Sequence, residues 1–200
     1  MNFIQSLSVF GIPREETLCF TGHRPEKLPK NEQLSALLNV LYYHIDEALQ
    51  QGYRLFLDGM ADGIDYFAAE YLFRKRAEFP SIRVVGIQPC TNYETFFQDR
   101  NYNLNHLHHM QQMLDGILCM EGEYSHNDNE KNNALFQKRN YFLVDHASAL
   151  IAVCSLNRSG SKQTFNYAKK KKIAFCRIEP NPKLLYTPAP SQWPAEKSDF

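Results

Sequence analysis

The chain has 200 residues, with 22 Lys and Arg balanced by 22 Asp and Glu, so its formal net charge is zero. That length suits one α/β domain with a sizeable core, and the charge balance argues against nucleic-acid binding by bulk charge. No apolar run approaches the roughly 20 residues of a membrane span, and residues 1–10 lack a signal peptide's basic flank and long apolar core. A cytoplasmic protein with no membrane partner is therefore expected.

The elements follow in chain order. Residues 1–16 form an N-terminal extension. Residues 17–20 read as a first strand. Apolar residues at Leu34, Leu37, Leu38, Leu41, Ile45, Ala48 and Leu49 then mark one face of a helix, with Gly52 placed to end it. Residues 54–57 are a second strand, and 64–79 a helix stopped by Pro80. Residues 83–87 form a third strand, about 96–114 a helix and 117–120 a fourth strand. Residues 121–133 are very polar and read as a mobile loop. Helix 135–147, strand 149–154, helix 163–172 and strand 173–178 complete the alternation. Residues 180–200 form a Pro-rich tail. The strands are continuous apolar runs, which indicates burial on both faces. The fold class is thus α/β, a Rossmann-like, doubly wound, mostly parallel sheet with helices on both faces, spanning residues 17–179.

Cys19, Cys119, Cys154 and Cys176 sit in apolar runs and Cys90 follows Pro89, with no metal or redox spacing. Reduced, buried thiols are expected. His106, His108 and His109 have no zinc-spaced partner, so no metal site is expected, and no cofactor is required.

Four segments at strand ends carry the candidate chemistry. Thr21, Gly22, His23, Arg24 and Pro25 form a turn in which Gly22 allows close approach of a ligand. Arg24 can fork onto a phosphate, and His23 can donate to it or stack. The turn also reads as a surface loop with Arg24 paired to an acid. In Asp58-Gly59-Met60-Ala61-Asp62-Gly63-Ile64-Asp65 two glycines force a close turn. Asp62 can cap the next helix and Asp65 sits in its first turn. Asp58 or Asp62 can accept hydrogen bonds from ribose hydroxyls, and Asp58 is the better placed to face a ligand. Arg139 and Asn140 can reach the cleft from the helix before the fifth strand, although a solvent-facing Arg139 fits the same pattern. Finally, Ser159, Gly160, Ser161 and Thr164 open a helix as a phosphate cradle would, or as an ordinary N-cap turn.

These four segments, in this order over residues 17–178, resemble the YpsA-like family of the SLOG superfamily, which unites the Smf/DprA proteins with the Lonely Guy phosphoribohydrolases. Thr21 to Pro25 are similar to its TGHRP turn. Asp58 to Glu70 are similar to SGxAxGxDxxAAE, with Asp58 in place of the usual Ser. Arg139 to Ser148 are similar to RNxxxVDxS. Ser159-Gly160-Ser161 before Thr164 and Tyr167-Ala168 are similar to GGT before TxxYA. The resemblance implies a site for a nucleotide or nucleotide-derived ligand. It also implies that Arg139 matches the arginine that the Lonely Guy enzymes use to cleave a nucleoside monophosphate at its N-glycosidic bond. The Glu that follows their glycine-rich turn is absent here, where Phe165, Asn166 and Tyr167 stand.

The expected function is a sensor or regulator binding an ADP-ribose-, NAD- or nucleoside phosphate-like ligand through Thr21, Gly22, His23, Arg24, Gly59, Met60, Asp62, Gly63, Asn140, Ser159, Gly160, Ser161 and Thr164. The polar 121–133 loop would act as its lid. One alternative is an N-glycosidic hydrolase using Arg139, Asp58 and Asp65. Another is a DprA-like single-stranded nucleic-acid binder, which the neutral charge disfavours. The resemblance adds self-association as a further expectation.

Overall fold

A computed structural model describes residues 2–180. Six strands, β1 (Thr17–Gly22), β2 (Leu55–Asp58), β3 (Arg83–Gln88), β4 (Gly116–Cys119), β5 (Ala149–Val153) and β6 (Ala174–Ile178), alternate with six helices. The helices are α1 (Glu32–Gln50), α2 (Ile64–Lys75), α3 (Tyr93–Asp99), α4 (Leu104–Met113), α5 (Asn129–Asp145) and α6 (Gly160–Lys171). The strands form one sheet in the order β4-β3-β2-β1-β5-β6, and every pairing is parallel.

The sheet's apolar runs divide by parity, as the two-residue period requires. Leu18, Phe20, Phe56, Val84 and Ile151 point to a core layer shared with α1 to α4. Cys19, Leu55, Leu57, Val85 and Leu150 point to a second layer under α5 and α6. The sheet grows from β1 to β4 in one direction and then restarts at β5 on β1's other side. Right-handed crossovers require that reversal to carry the helices to the opposite face. The β1–β5 border is therefore the topological switch point, where open α/β sheets place their ligands.

Three expectations need correction. Residues 96–114 are two helices, not one. Asn101 takes a left-handed φ of 52°, and the Asn103 side chain accepts the Asn105 N–H at 3.0 Å to start α4 afresh. The polar stretch ends at 128, not 133, because Asp128 caps α5 by accepting the Lys131 N–H at 2.9 Å. What remains of it is anchored: Asn132 exchanges two hydrogen bonds with Ser125, and the Asn92 side chain two with Tyr124. Helix α2 stops at Lys75, short of Pro80.

The N-terminal extension is part of the fold. Ile4 donates to the Ile117 carbonyl at 2.9 Å and Ile117 to that of Asn2 at 2.8 Å, so the segment covers the outer edge of β4. Its Ile4, Leu7, Phe10 and Ile12 pack on the second core layer. All five cysteines are free, four of them buried. Beyond Pro180, the Pro-rich tail lies outside the described residues. Among those described, no helix is long and apolar enough to cross a membrane.

Candidate functional site

At the switch point the ends of β1 and β5 are stitched together before they part. The His23 N–H donates to the Val153 carbonyl at 3.1 Å, and the Ser155 N–H donates to His23 Nε2 at 3.1 Å. Ser161, in the first turn of α6, donates its hydroxyl to the Gly22 carbonyl at 2.6 Å. Beside these bonds opens a cleft of about 270 Å³, lined among others by Thr21, Arg24, Asp65, Tyr102, Arg139 and Gly160.

The cleft is lined by three cations, Arg24, Lys27 and Arg139, and two carboxylates, Glu26 and Asp65. Arg139, on the third turn of α5, is 96% buried, which decides against a solvent-facing role. Its Nη1 donates to the Gly59 carbonyl, while its Nε is buried without a partner. Arg24 lies over two rings, 4.9 Å from the centre of Tyr102 and 5.3 Å from that of Phe96. Its Nη1 is also buried and unpartnered. The arginine and lysine ion pairs among the described residues involve Arg54, Arg76, Arg177, Lys75 and Lys171. Neither cleft arginine belongs to such a pair, so Arg24 is not the paired surface residue that one sequence reading allowed.

The three acids of the second segment part ways. Asp65 lines the cleft and accepts the Ala61 N–H at 3.4 Å. Burial holds its pKa above the usual carboxylate value, against the pull of Arg139 and Arg24. Asp58 is fully buried and lies beneath the cleft rather than in its lining, contrary to the expectation that it faces a ligand. Its Oδ1 accepts the Met60 N–H at 2.6 Å, and its Oδ2 has no partner. Burial and the neighbouring Asp65 charge raise its pKa well above the ordinary value. Asp62 does not cap α2. It accepts the N–H groups of Gly63 at 2.9 Å and Asn103 at 3.1 Å and pairs with His106 at 2.9 Å, joining α2 to α4. Its oxygens are thereby engaged by the fold.

The glycines serve the same close packing. A Cβ on Gly22 would strike Ile64, and one on Gly63 (φ 98°) would strike the His23 carbonyl. A Cβ on Gly59 would fall on the Arg139 guanidinium and the Asp65 carboxylate. Gly160 alone among the four faces open space. There the N–H groups of Gly160 and Ser161 are the orphan donors that a helix start leaves. Ser159 Oγ caps α6 by accepting the Lys162 N–H at 3.1 Å.

The structure thus gathers Thr21, Gly22, His23, Arg24, Asp65, Arg139, Asn140, Ser159, Gly160 and Ser161 at one cleft. Met60 and Thr164 are buried outside its lining, Met60 in the core layer beside Gly86 and Thr164 bonded to the Gly160 carbonyl at 3.0 Å. With its Nε2 occupied by Ser155, His23 is left with Nδ1 as donor, and burial lowers its pKa. Sequence reasoning missed Tyr102, Asn133 and Phe136, which line the cleft. Tyr102 stands between Asn101 and Asn103, and that asparagine pair was the available sign of an exposed helix break.

Comparison with known proteins bears on the family and the fold. The family model described as the YspA SLOG family matches residues 18–177. An uncharacterised SPbeta prophage-derived protein, YoqJ, of Bacillus subtilis strain 168 is 28% identical over 151 residues, covering 70% of this chain and 85% of that protein. Among solved structures, DNA processing protein A (DprA) of Streptococcus pneumoniae superposes with a TM-score of 0.52 at 16% identity over 87% of this chain, which spans 53% of that one. The Helicobacter pylori DprA, described by its single-stranded DNA binding mode, gives 0.55 at 17% identity over 86% of this chain and 68% of its own. At such identities the likeness is one of fold.

Proposed function

The chain belongs to the YspA SLOG family, and on that footing we propose that its cleft binds a phosphate-bearing, nucleotide-derived ligand and acts as a sensor or regulator. One observation carries this reading. Arg24 and Arg139 line the same cleft, each with one buried, unpartnered guanidinium nitrogen, and neither forms an ion pair among the described residues, although Asp65 and Glu26 line the cleft beside them. A buried unpaired cation is costly, and an anion seated against the open start of α6 satisfies both arginines and the helix dipole together. Tyr102 and Phe136 supply flat apolar surface for a base. Asn133, Asn140 and Asp65 supply polar groups for sugar hydroxyls, a role for which Asp58 and Asp62 are no longer free.

Asp65 favours a second reading, cleavage of an N-glycosidic bond. A carboxyl whose pKa burial raises above the usual value, beside Arg139, is suited to act as the general acid toward a leaving base. That acid would replace the Glu absent after Thr164.

A thermal-shift titration with AMP, ADP, ADP-ribose, NAD and a short oligonucleotide tests both. A ligand at 100-fold its Kd adds about 2.7 kcal/mol of stability. The expected result is a shift with a nucleotide that Arg24→Ala abolishes. No shift with any member of the panel would remove the nucleotide reading. Release of free base from a bound ligand, lost in Asp65→Asn, would turn sensor into enzyme.

A further inference from the structure

The fold treats the two edges of its sheet differently. The N-terminal segment covers β4, whereas β6 pairs with β5 alone among the described residues. The Ala174 N–H donates to the Ser148 carbonyl and the Ile178 carbonyl accepts the Cys154 N–H, both at 3.1 Å. Ala174, Cys176 and Ile178 therefore turn their backbone groups toward β5, and Phe175 and Arg177 turn theirs outward. An open row of this kind is a template for one more strand. Charged side chains along the strand usually guard it. The one charge within β6 is Arg177, and its guanidinium is turned to the Cys154 carbonyl at 2.9 Å and to Glu179 at 2.7 Å.

Charge gathers instead at the start of the strand. A cavity of about 450 Å³ opens there, lined by Arg14, Ser148, Lys171, Lys172 and Phe175 among others, with no carboxylate in its lining. It shares no residue with the Arg24–Arg139 cleft. Arg14 is held by its Nε, which donates to the Asp145 carbonyl at 3.1 Å. Lys169 and Lys170 stand exposed beside the cavity in the last turn of α6. Two carboxylates lie near these cations. Asp145 is taken by Lys171 at 2.7 Å and by the Tyr167 hydroxyl at 3.1 Å, and Glu15 adjoins Arg14 in the chain. The carboxyl ends of α5 and α6 add roughly half a negative charge each, so a positive surplus remains. Arg14 and Lys172 enter no ion pair among the described residues.

From the open edge and the cations at its start we infer that β6 is the docking strand for an acidic peptide of another protein. The peptide lies extended along the edge and exchanges backbone hydrogen bonds with Phe175 and Arg177. Its acidic end enters the cavity at Arg14, Lys171 and Lys172. An apolar side chain next to that end covers the half-buried ring of Phe175, which meets Phe165 edge-on at 5.1 Å. Two other occupants fit less well. A second copy brings Glu179 to such a pairing, and Arg177 already holds that carboxylate. Residues 181–200 of this chain set Lys183 and Lys197 against Glu196 and Asp199, with Pro182, Pro188, Pro190 and Pro194 spaced through them, and proline does not continue a ladder. The inference is independent of the nucleotide reading, since the two sites have no lining in common.

Fluorescence anisotropy on the full chain with a labelled peptide, Glu-Asp-Val-Thr-Val-Thr-Asp-Glu, tests it. Acids at both ends let either strand direction bring one to the cavity. Saturable binding is expected. Replacing the peptide's second valine by proline, which has no N–H, is expected to weaken binding at least tenfold, and so is Lys172→Glu at an exposed position of the protein. Amide hydrogen exchange supplies a second readout. The Phe175 and Arg177 amides are expected to slow at least tenfold in the complex, and the Cys176 amide, already facing β5, to change little. No binding, or binding that survives either change, overturns the inference. Binding that leaves exchange at Phe175 and Arg177 unaltered places the peptide elsewhere and overturns it too. Slow exchange at those two amides in the free chain would mean an edge already occupied, by a second copy if dilution speeds it and by the chain's own segment if not, and the inference falls. It falls as well if a single-stranded oligonucleotide displaces the labelled peptide as effectively as the unlabelled peptide does.

Discussion

Asp58 carries a cost that a protein retains only for a reason. Its carboxyl is wholly buried, takes one hydrogen bond from the Met60 N–H and leaves Oδ2 without a partner. An ionised group in that position would lack most of the bonds it needs, and burial, with the charge of Asp65 second, raises its pKa well above the ordinary value. In the unfolded chain the same group titrates near 3.9. Between that value and the folded one the native state holds a proton that the unfolded state has released. Stability therefore falls as pH rises through this window and is greatest below it. Asp58→Asn keeps the shape and the Met60 bond and removes the proton. It is expected to raise stability at pH 7.5 by at least about 1 kcal/mol and to change it little at pH 4, as read from urea unfolding. An equal effect at the two pH values would show that Asp58 is ionised in the native protein. Asp58→Ala serves as contrast, because the cavity it leaves destabilises at both. The Asp at position 58 was plain in the sequence, but its depth was not. A strand's last residue reads as cleft-facing until one knows that the Gly59 turn folds back beneath Arg139.

The elements show which parts of a sequence speak for themselves. Strands β1, β2, β3 and β5 were legible because both faces are buried and the apolar run is unbroken; the half-buried edge strands β4 and β6 were legible too, though the cover that the N-terminal segment gives β4 was not. Helix α1 announced itself through its apolar stripe, and Gly52 ended it with φ 86°. The α3–α4 break was hidden because Phe96, Leu104, Leu107 and Met110 keep an apolar rhythm across it, and only Asn101 and Asn103 betray it. The first turn of α5 was hidden because residues 129–133 are polar and its start depends on Asp128. Gly63 was read as a ligand contact, whereas it works at the junction of two elements: α2 begins against the β1 turn, with the Ile64 N–H donating to the His23 carbonyl at 3.3 Å. Gly63→Ala meets both a positive φ and that carbonyl, and is expected to cost about 2–3 kcal/mol. Gly52→Ala, at φ 86° but with open space around it, is expected to cost about 1 kcal/mol. Equal losses in a thermal-unfolding comparison would mean that the junction is looser than drawn. Removing residues 2–12 uncovers the outer edge of β4, whose backbone the segment now occupies. An unprotected parallel edge invites pairing between molecules, so the truncated chain is expected to elute as higher oligomers in light-scattering chromatography. An unchanged mass would assign the segment to packing alone.

At the scale of the molecule, a zero net charge hides an uneven distribution. Arg24, Arg139, Lys27 and Arg158 gather at the carboxyl ends of the strands and outnumber the Glu26, Asp65 and Glu179 carboxylates beside them, where the switch point and the start of α6 already favour anions. The same field suits two partners of different size, a small nucleotide or a single strand of DNA, and salt distinguishes them. A ligand held in an enclosed cleft meets few phosphate contacts, each desolvated and poorly screened. A strand tracking the surface releases one counterion for each phosphate neutralised, and log K falls with a slope near −0.7 per contact. The small volume of the Arg24–Arg139 cleft, about 270 Å³, together with the absence of any net positive charge to hold a long polyanion, favours the small ligand. Nucleotide affinity is therefore expected to drop by less than tenfold between 50 and 200 mM salt, on the order of one or two contacts. A 20-nucleotide single strand is expected to show no saturable binding at the upper value by fluorescence anisotropy. Saturable binding of the strand with a steep slope, lost on Arg24→Ala, would reverse the assignment. The fold shared with DprA would then extend to its ligand, and the cleft would be the anchoring point of a longer path across the strand ends.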